Sequence, residues 1–294
     1  MRKTTDLNAV KIMPLTPGVY FFYSHAGHLL YIGKSISLRN RVYAHILAAK
    51  YSSKEERLIR QTSRIEWEET AGELGALLRE ATLIKQYQPI YNQRLRKNRV
   101  LYGLKLRETE NQYSRIELVR LNAILQHEIP LLYGLSRSKR ELMQKIVDYT
   151  KQWNLCAKLT LLEKGPGPCF YFQIKRCKGA CLNLENPTAY NARVTQAFRK
   201  LRVESWPYSS SIIIKEKSLT TLRVDYHKID RWCHLLSGKN KKVLSHIETS
   251  FPHCFDFDIY KILVKYLLAP SSTIKIIPDF LGSIDNSTMP AVTL

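Results

Sequence analysis

The 294-residue chain carries 46 Lys and Arg against 25 Asp and Glu, a formal net charge of +21. That excess favours a polyanionic partner, nucleic acid first and an anionic membrane surface second. No apolar run approaches the length of a bilayer span, and "MRKTTDLNAVKIMPL" has no apolar signal core, so a cytoplasmic protein without a membrane partner is expected.

At 45% hydrophobic residues, each half of a two-domain chain can bury a core. Residues 17–35 are expected to form a β-hairpin, with apolar and aromatic runs on both sides of "SHAGH". Residues 37–50 are a predicted helix with Ser37 as its N-cap, and "SRIEWEET" is a predicted strand. In "TAGELGALLREATLIKQYQP", Thr70 and Glu73 have the spacing of a capping box. Leu74, Leu77, Leu78, Ala81 and Ile84 make one apolar stripe, and Pro89 ends that helix. The basic run "RLRKNR" at 94–99 marks a domain boundary. Beyond it come predicted strands in "LYGLKLRET" and "YSRIELVR", a helix in "SKRELMQKIVDYTKQW", and a cysteine region at 156–181. The remainder is expected to be mostly α-helical, apart from a strand in "SSIIIKEK", with a mobile Pro- and Ser-rich tail.

The two hairpin tyrosines carry the chemical question. Alternate side chains of a strand share a face, so Tyr20 goes with Phe22, and Tyr31 with Leu29 and Gly33. A two-residue turn at Ala26–Gly27 puts Tyr20 and Tyr31 on the same face; a three-residue turn separates them. The glycine favours the two-residue turn. Arg41 and His45 follow at i, i+4 on one side of a helix, and Glu80 borders the apolar stripe of a later one. Two phenols, Lys34, Arg41, His45 and one carboxylate suit phosphodiester hydrolysis. Glu80 would hold a hydrated divalent cation, and Arg41 would meet charge that builds up in the transition state. A tyrosine would take the proton of the attacking water once Lys34 or the metal lowered its pKa from about 10. The plainer readings stay open. Strand tyrosines mostly pack. Arg39 and Arg41 can be a solvated or DNA-tracking face, Glu80 can pair with Lys85 or Arg79, and His45 can be structural.

Four of six cysteines, Cys156, Cys169, Cys177 and Cys181, crowd one segment, which points to a metal site rather than to disulfides. Four thiolates suit tetrahedral zinc or an iron–sulfur cluster, with free thiols a third outcome. Cys233 and Cys254 have the character of ordinary buried thiols. Basic groups recur at 94–99, 137–140, 175–178, 199–202 and 239–242, with aromatics interleaved in "WPYS" and "YHKIDRW". That pattern suits phosphate tracking more than base reading.

"GVY" at 18–20, "YIG" at 31–33, Arg41, His45 and "LLREATLIKQYQPIYN" at 77–92 together resemble the UvrC-like GIY-YIG nucleases. The resemblance implies an α+β chain. Residues 1–98 would be the endonuclease domain, a small antiparallel sheet flanked by helices. Residues 99–294 would be a mixed, mostly α-helical domain with the cysteine cluster and helices that bind DNA or a partner. It also implies site roles. Tyr20 and Tyr31 flank the water, with Tyr31 the choice for general base and Tyr20 the alternative. Gly33 permits close approach, Lys34 tunes the base, Arg41 contacts the scissile phosphate, Glu80 binds Mg or Mn, and Asn92 holds the site. Most UvrC proteins have tyrosine where this chain has His45; histidine there is a feature of the short, Cho-type branch. For the four cysteines the resemblance implies a [4Fe–4S] cluster, with zinc the alternative. Asp256 and Asp258 of "FDFD" are expected to be structural or solvated rather than a second active site. The activity implied is the 3′ incision of nucleotide excision repair, by a monomer, on damaged double-stranded DNA that UvrA and UvrB have prepared. A homing or restriction-type nuclease and a non-catalytic DNA-binding module are the competing readings. The first lacks an evident sequence-reading module, and the intact Tyr20, Tyr31, Arg41, Glu80 and Asn92 weigh against the second.

Overall fold

The hairpin and the helices around it set the N-terminal architecture. The computed structural model describes residues 2–4, 7–92, 100–121, 124, 126–246 and 255–279. The elements begin with β1 (Arg2–Thr4), β2 (Gly18–Ser24), β3 (Leu29–Ser35), α1 (Leu38–Ala48), α2 (Ser53–Gln61), β4 (Thr62–Glu69) and α3 (Glu73–Tyr87). The four strands form an antiparallel sheet in the order β1-β4-β2-β3, which leaves β3 at an edge. Strand β2 is buried on both faces, and its alternation divides the core. Tyr20 and Phe22 pack with Leu38, Val42, Leu58 and Trp67 on the α1–α2 side. Val19 and Phe21 pack with Ile32, Leu83 and Ile84 on the α3 side.

Tyr20 and Tyr31 do share a face, but not through the expected turn. Ser24 N donates to His28 O at 2.9 Å and Gly27 N to Ser24 O at 3.0 Å, so three residues, His25 to Gly27, make the turn. Gly27 supplies the left-handed conformation it needs, φ +78°. By itself that turn would separate the tyrosines. A bulge in β3 restores the register: Tyr23 pairs with Leu29 and Phe22 with Tyr31, leaving Leu30 as the extra residue. Consecutive Leu30 and Tyr31 therefore pack on the same side. The unpaired Leu30 carbonyl accepts from Tyr91 N at 3.0 Å.

Helix α3 corrects a second expectation. Its N-cap is Gly72, with no side-chain cap of its own, and Thr70 Oγ1 donates instead to Gly72 O at 2.8 Å. The capping box is displaced by Glu216, whose carboxylate oxygens accept from Leu74 N and Gly75 N, both at 2.9 Å. A carboxylate at a helix N-terminus stabilises it by roughly 0.3–1 kcal/mol when exposed and up to about 2 kcal/mol when partly buried.

Residues 98–206 form one compact unit. It holds β5 (Leu101–Glu108), β6 (Ser114–Leu121), β7 (Leu132–Ser136), α4 (Lys139–Gln152), α5 (Phe170–Gln173) and α6 (Pro187–Phe198). Its sheet has the order β6-β5-β7. Leu104, Ile116, Ile146, Tyr190 and Phe198 pack in one core with Cys156, Cys169 and Cys177.

The other unit joins residues 207–294 to residues 1–97. The units are divided at 97–98 and at 206–207, and the second division was not read from the sequence. The C-terminal part is not mostly helical. It contains β8 (Ile212–Lys217), β9 (Val224–Asp230), β10 (Cys233–Gly238), α7 (Lys241–His246), α8 (Phe257–Leu268) and β11 (Ile274–Pro278). A four-stranded antiparallel sheet runs β10-β9-β8-β11. Buried charges disguise these strands: Asp225, His227 and Lys228 are all buried in β9 and break the apolar alternation. They are tolerated because each is partnered, Lys228 by Asp279 at 3.0 Å and Asp225 by Arg223 at 3.1 Å. Asp256 of "FDFD" caps α8, accepting from Asp258 N and Ile259 N, and pairs with Lys85. Cys233 is buried as expected. Cys254, the basic run at 94–99 and the Pro- and Ser-rich tail lie outside the described residues. No described helix is long and apolar enough to cross a membrane.

Candidate active site

A cleft of ≈ 590 Å³ opens beside edge strand β3, lined among others by Tyr31, Arg41, His45, Glu55, Glu80 and Asn92. Five elements and the segment after α3 contribute to it or to the wall behind it. Strand β2 sends Tyr20 beneath β3, which is why its direct partner is Gly33. A Cβ on Gly33 would lie 2.2 Å from the Tyr20 hydroxyl oxygen, so the approach that glycine permits is by this phenol. The rings of Tyr20, Tyr31 and His45 sit 5.5–6.1 Å apart, centroid to centroid.

A chain of hydrogen bonds runs inward. The Tyr20 hydroxyl lies 2.7 Å from His45 Nε2, and His45 Nδ1 lies 2.7 Å from Glu55 Oε2. A carboxylate only accepts, so Nδ1 carries the ring proton and Nε2 accepts from Tyr20. Burial holds His45 below its ordinary value, so it is neutral at pH 7. Glu55 is the site residue that sequence reasoning missed. Its signal was present: Ser52 and Glu55 have capping-box spacing, and Ser52 does cap α2.

Glu80 Oε1 accepts from Lys34 N at 3.1 Å, which ties α3 to β3 across the sheet edge. Among the described residues Glu80 Oε2 has no hydrogen-bond partner. Burial pushes this carboxyl up to about 7. The Lys34 ammonium is held by Glu73 at 2.5 Å and is not among the cleft-lining groups. Burial raises both phenols, Tyr20 well above its ordinary value, with Tyr31 the next cause for Tyr20 and Glu80 the next for Tyr31. The cation opposing both rises is Arg41, so the tuning expected of Lys34 falls to Arg41 in this geometry. Asn92 uses both ends of its amide on β3, accepting from Ile32 N at 2.8 Å and donating to Ile32 O at 2.7 Å. It clamps the chain after α3 to the edge strand.

One hard carboxylate oxygen without a hydrogen-bond partner among the described residues, in a cleft with room for water, fits a cation that keeps most of its hydration shell.

The second site is the cysteine segment. The sulfurs of Cys156, Cys169 and Cys181 lie within 4.8 Å of one another, and Cys156 and Cys169 are 3.9 Å apart. Cys177 is drawn down to about 6 by its hydrogen bond from Cys156, and that bond raises Cys156. The Tyr190 hydroxyl is buried beside Cys156, and burial is the main reason its phenol is raised. Soft sulfur donors gathered this closely fit a thiophilic metal centre.

Comparison with known proteins follows this geometry. Residues 16–93 match the UvrC-like GIY-YIG domain, residues 101–200 the UvrC/Cho excinuclease middle domain, and residues 211–279 the excinuclease Cho C-terminal domain. The fold and site are thus those of a DNA endonuclease of the GIY-YIG class. Excinuclease Cho of Salmonella typhi is 39% identical over 261 residues, 87% of this chain and 84% of that protein. The Escherichia coli K12 counterpart is 37% identical over 262 residues, with the same coverage. UvrABC system protein C of Chlamydia abortus is 30% identical over 193 residues, 64% of this chain and 31% of its own length. The chain belongs to the excinuclease Cho family.

Proposed function

We propose that this endonuclease makes the 3′ incision of nucleotide excision repair, as a monomer, on damaged double-stranded DNA loaded with UvrB after UvrA has acted. The observation that carries the hydrolytic reading is the hydrogen-bonded chain Tyr20–His45–Glu55, with the Tyr31 ring packed on Tyr20, beside the Glu80 carboxylate. Glu80 would hold Mg or Mn, and the bound cation would supply positive charge to the scissile phosphate and the departing oxygen. Arg41, exposed at the mouth of the cleft, binds the same phosphate. Tyr31 lines the cleft, whereas Tyr20 is fully buried, so Tyr31 meets the attacking water. Tyr31 takes the water proton as its own passes to Tyr20, and the Tyr20 proton passes to His45 Nε2. The resulting imidazolium is stabilised by Glu55, and no phenolate has to persist in a buried place. Lys34, Gly33 and Asn92 hold β3 so that Tyr31 and Glu80 meet.

The test is incision of a lesion-bearing duplex with and without UvrA and UvrB. Cutting 3′ of the lesion that depends on UvrB supports the proposal. Site-specific cutting of undamaged DNA without UvrB ends it.

We infer that Cys156, Cys169, Cys177 and Cys181 hold a metal centre in the middle unit, a [4Fe–4S] cluster by family likeness. One observation favours zinc: the 3.9 Å sulfur separation is near the edge of an S₄ tetrahedron, about 3.8 Å for Zn–S bonds of about 2.3 Å. Anaerobic purification separates the two. A brown protein absorbing near ~400 nm carries the cluster; a colourless, zinc-loaded one carries the ion.

A further inference from the structure

We propose that the described C-terminal residues, 207–246 and 255–279, are a positioning device for the nuclease, in which Glu216 fixes the helix that presents Glu80. The proposal rests on the reading of Glu80 as the cation ligand.

Helix α3 cannot fix its own start. Its first turn reads Gly72, Glu73, Leu74, Gly75, with no local side chain capping the free N–H groups. Glu216, 1% exposed, takes two of those groups, Leu74 N and Gly75 N, and Asp225 takes Ala71 N at 2.7 Å. The glycines make room for this. A Cβ on Gly72 would stand 2.3 Å from Glu216 Oε1, and one on Gly75 would stand 3.0 Å from Glu216 Oε2. The first turn is therefore shaped to receive a carboxylate from a distant strand. His227 backs that carboxylate, its Nε2 3.4 Å from Glu216 Oε2 and its Nδ1 2.7 Å from Ser237 Oγ.

The same segment grips α3 elsewhere. Tyr266 donates to Glu73 Oε2 at 3.1 Å while Glu73 Oε1 holds the Lys34 ammonium at 2.5 Å. Lys34 also gives its backbone N–H to Glu80. One path thus runs from α8 through Glu73 and Lys34 to the cation ligand. Near the other end of α3, Lys85 is paired with Asp256. A helix pinned at its start, on one flank and near its end has one register against β3, and Glu80 must meet the cation from that register.

The alternative is a cap that only adds stability. Such a cap would lower the melting temperature when removed and leave the cation affinity of the folded protein unchanged. The proposal predicts a change in that affinity. In the full chain, Mn²⁺ binding is measured by electron paramagnetic resonance for the parent, Glu216→Ala, Glu216→Gln and Tyr266→Phe, with circular dichroism to verify folding. Glu216→Ala should weaken Mn²⁺ at least tenfold. Glu216→Gln, whose oxygen can still accept one N–H, should recover part of the loss, and Tyr266→Phe should weaken binding about threefold. The Mn²⁺ concentration for half-maximal nicking should move in parallel, with the DNA concentration for half-maximal nicking unchanged. Mn²⁺ affinity within twofold of the parent in folded Glu216→Ala overturns the proposal. If Glu216→Ala does not fold, unchanged affinity in both Glu216→Gln and Tyr266→Phe overturns it. Glu80→Ala is the control that separates the two levels. Mn²⁺ binding that survives in Glu80→Ala removes the ligand reading itself, whereas binding lost there and kept in the Glu216 variants removes only the positioning role.

Discussion

The nuclease cleft and the cysteine site solve opposite problems. The four cysteines all come from one segment, 156–181, inside a single core. The cleft draws on β2, β3, α1, α2, α3 and Asn92, and it keeps polar groups where burial opposes their charge. A site made by one loop can serve as the core of its unit. A site made by many elements must be held by the fold, and its chemistry is carried at the fold's expense. Removing a ligand should therefore unfold the first and merely silence the second.

That contrast breaks most visibly at the cysteines. Cys169→Ser should release the metal and unfold residues 98–206, because a structural metal contributes on the order of 10 kcal/mol to folding; loss of their amide protection in hydrogen exchange is the measure. At Glu80 the opposite is expected. Glu80→Ala should cut single-turnover nicking in Mg about 10³-fold, roughly 4 kcal/mol of transition-state stabilisation. The same variant should melt within a few degrees of its parent, since the hydrogen bond from Lys34 N that it loses is offset by removing a carboxyl that burial opposes. A large fall in its melting temperature would erase the contrast. Gly33→Ala lies between the two. Its Cβ collides with the Tyr20 hydroxyl, so it should lose about 10²-fold in rate and about 1–3 kcal/mol in stability by denaturant titration. Glu55→Gln keeps the shape but not the charge behind His45, and a loss of about tenfold in rate with stability nearly unchanged would support the relay.

The smallest effect is in pH. The Glu80 carboxyl, raised to about 7, binds its proton more tightly folded than unfolded. Metal-free protein therefore loses stability as pH climbs from about 4.5 through about 7. A cation competes with that proton. Its affinity should rise close to tenfold per pH unit well below 7, where binding releases one proton, and flatten above 7, where it releases none. Calorimetry in two buffers of different ionisation enthalpy reads that proton directly.

Much of the nuclease was legible in the sequence because strand alternation and helical spacing are local rules. They placed β2, β3, α1 and α3, and they set Arg41 with His45. The shared face of Tyr20 and Tyr31 was reached by a wrong route, since the turn has three residues and the Leu30 bulge corrects it. No residue type announces a bulge. The C-terminal sheet escaped because Asp225, His227 and Lys228 are buried in a strand, and alternation rules assume that charge faces water.

The chain by itself determined which chemical groups are available and in what order: two phenols, an arginine, a histidine and one carboxylate in the nuclease, four thiols in the middle. It also determined that a basic protein would act on a polyanion. Only the tertiary structure decided that Glu55 stands behind His45, that the Lys34 ammonium belongs to Glu73, and that Glu216 starts the helix bearing Glu80. The physical reason is reach. Local spacing fixes which side chains share a face, but a buried charge finds its partner wherever the folded chain brings one.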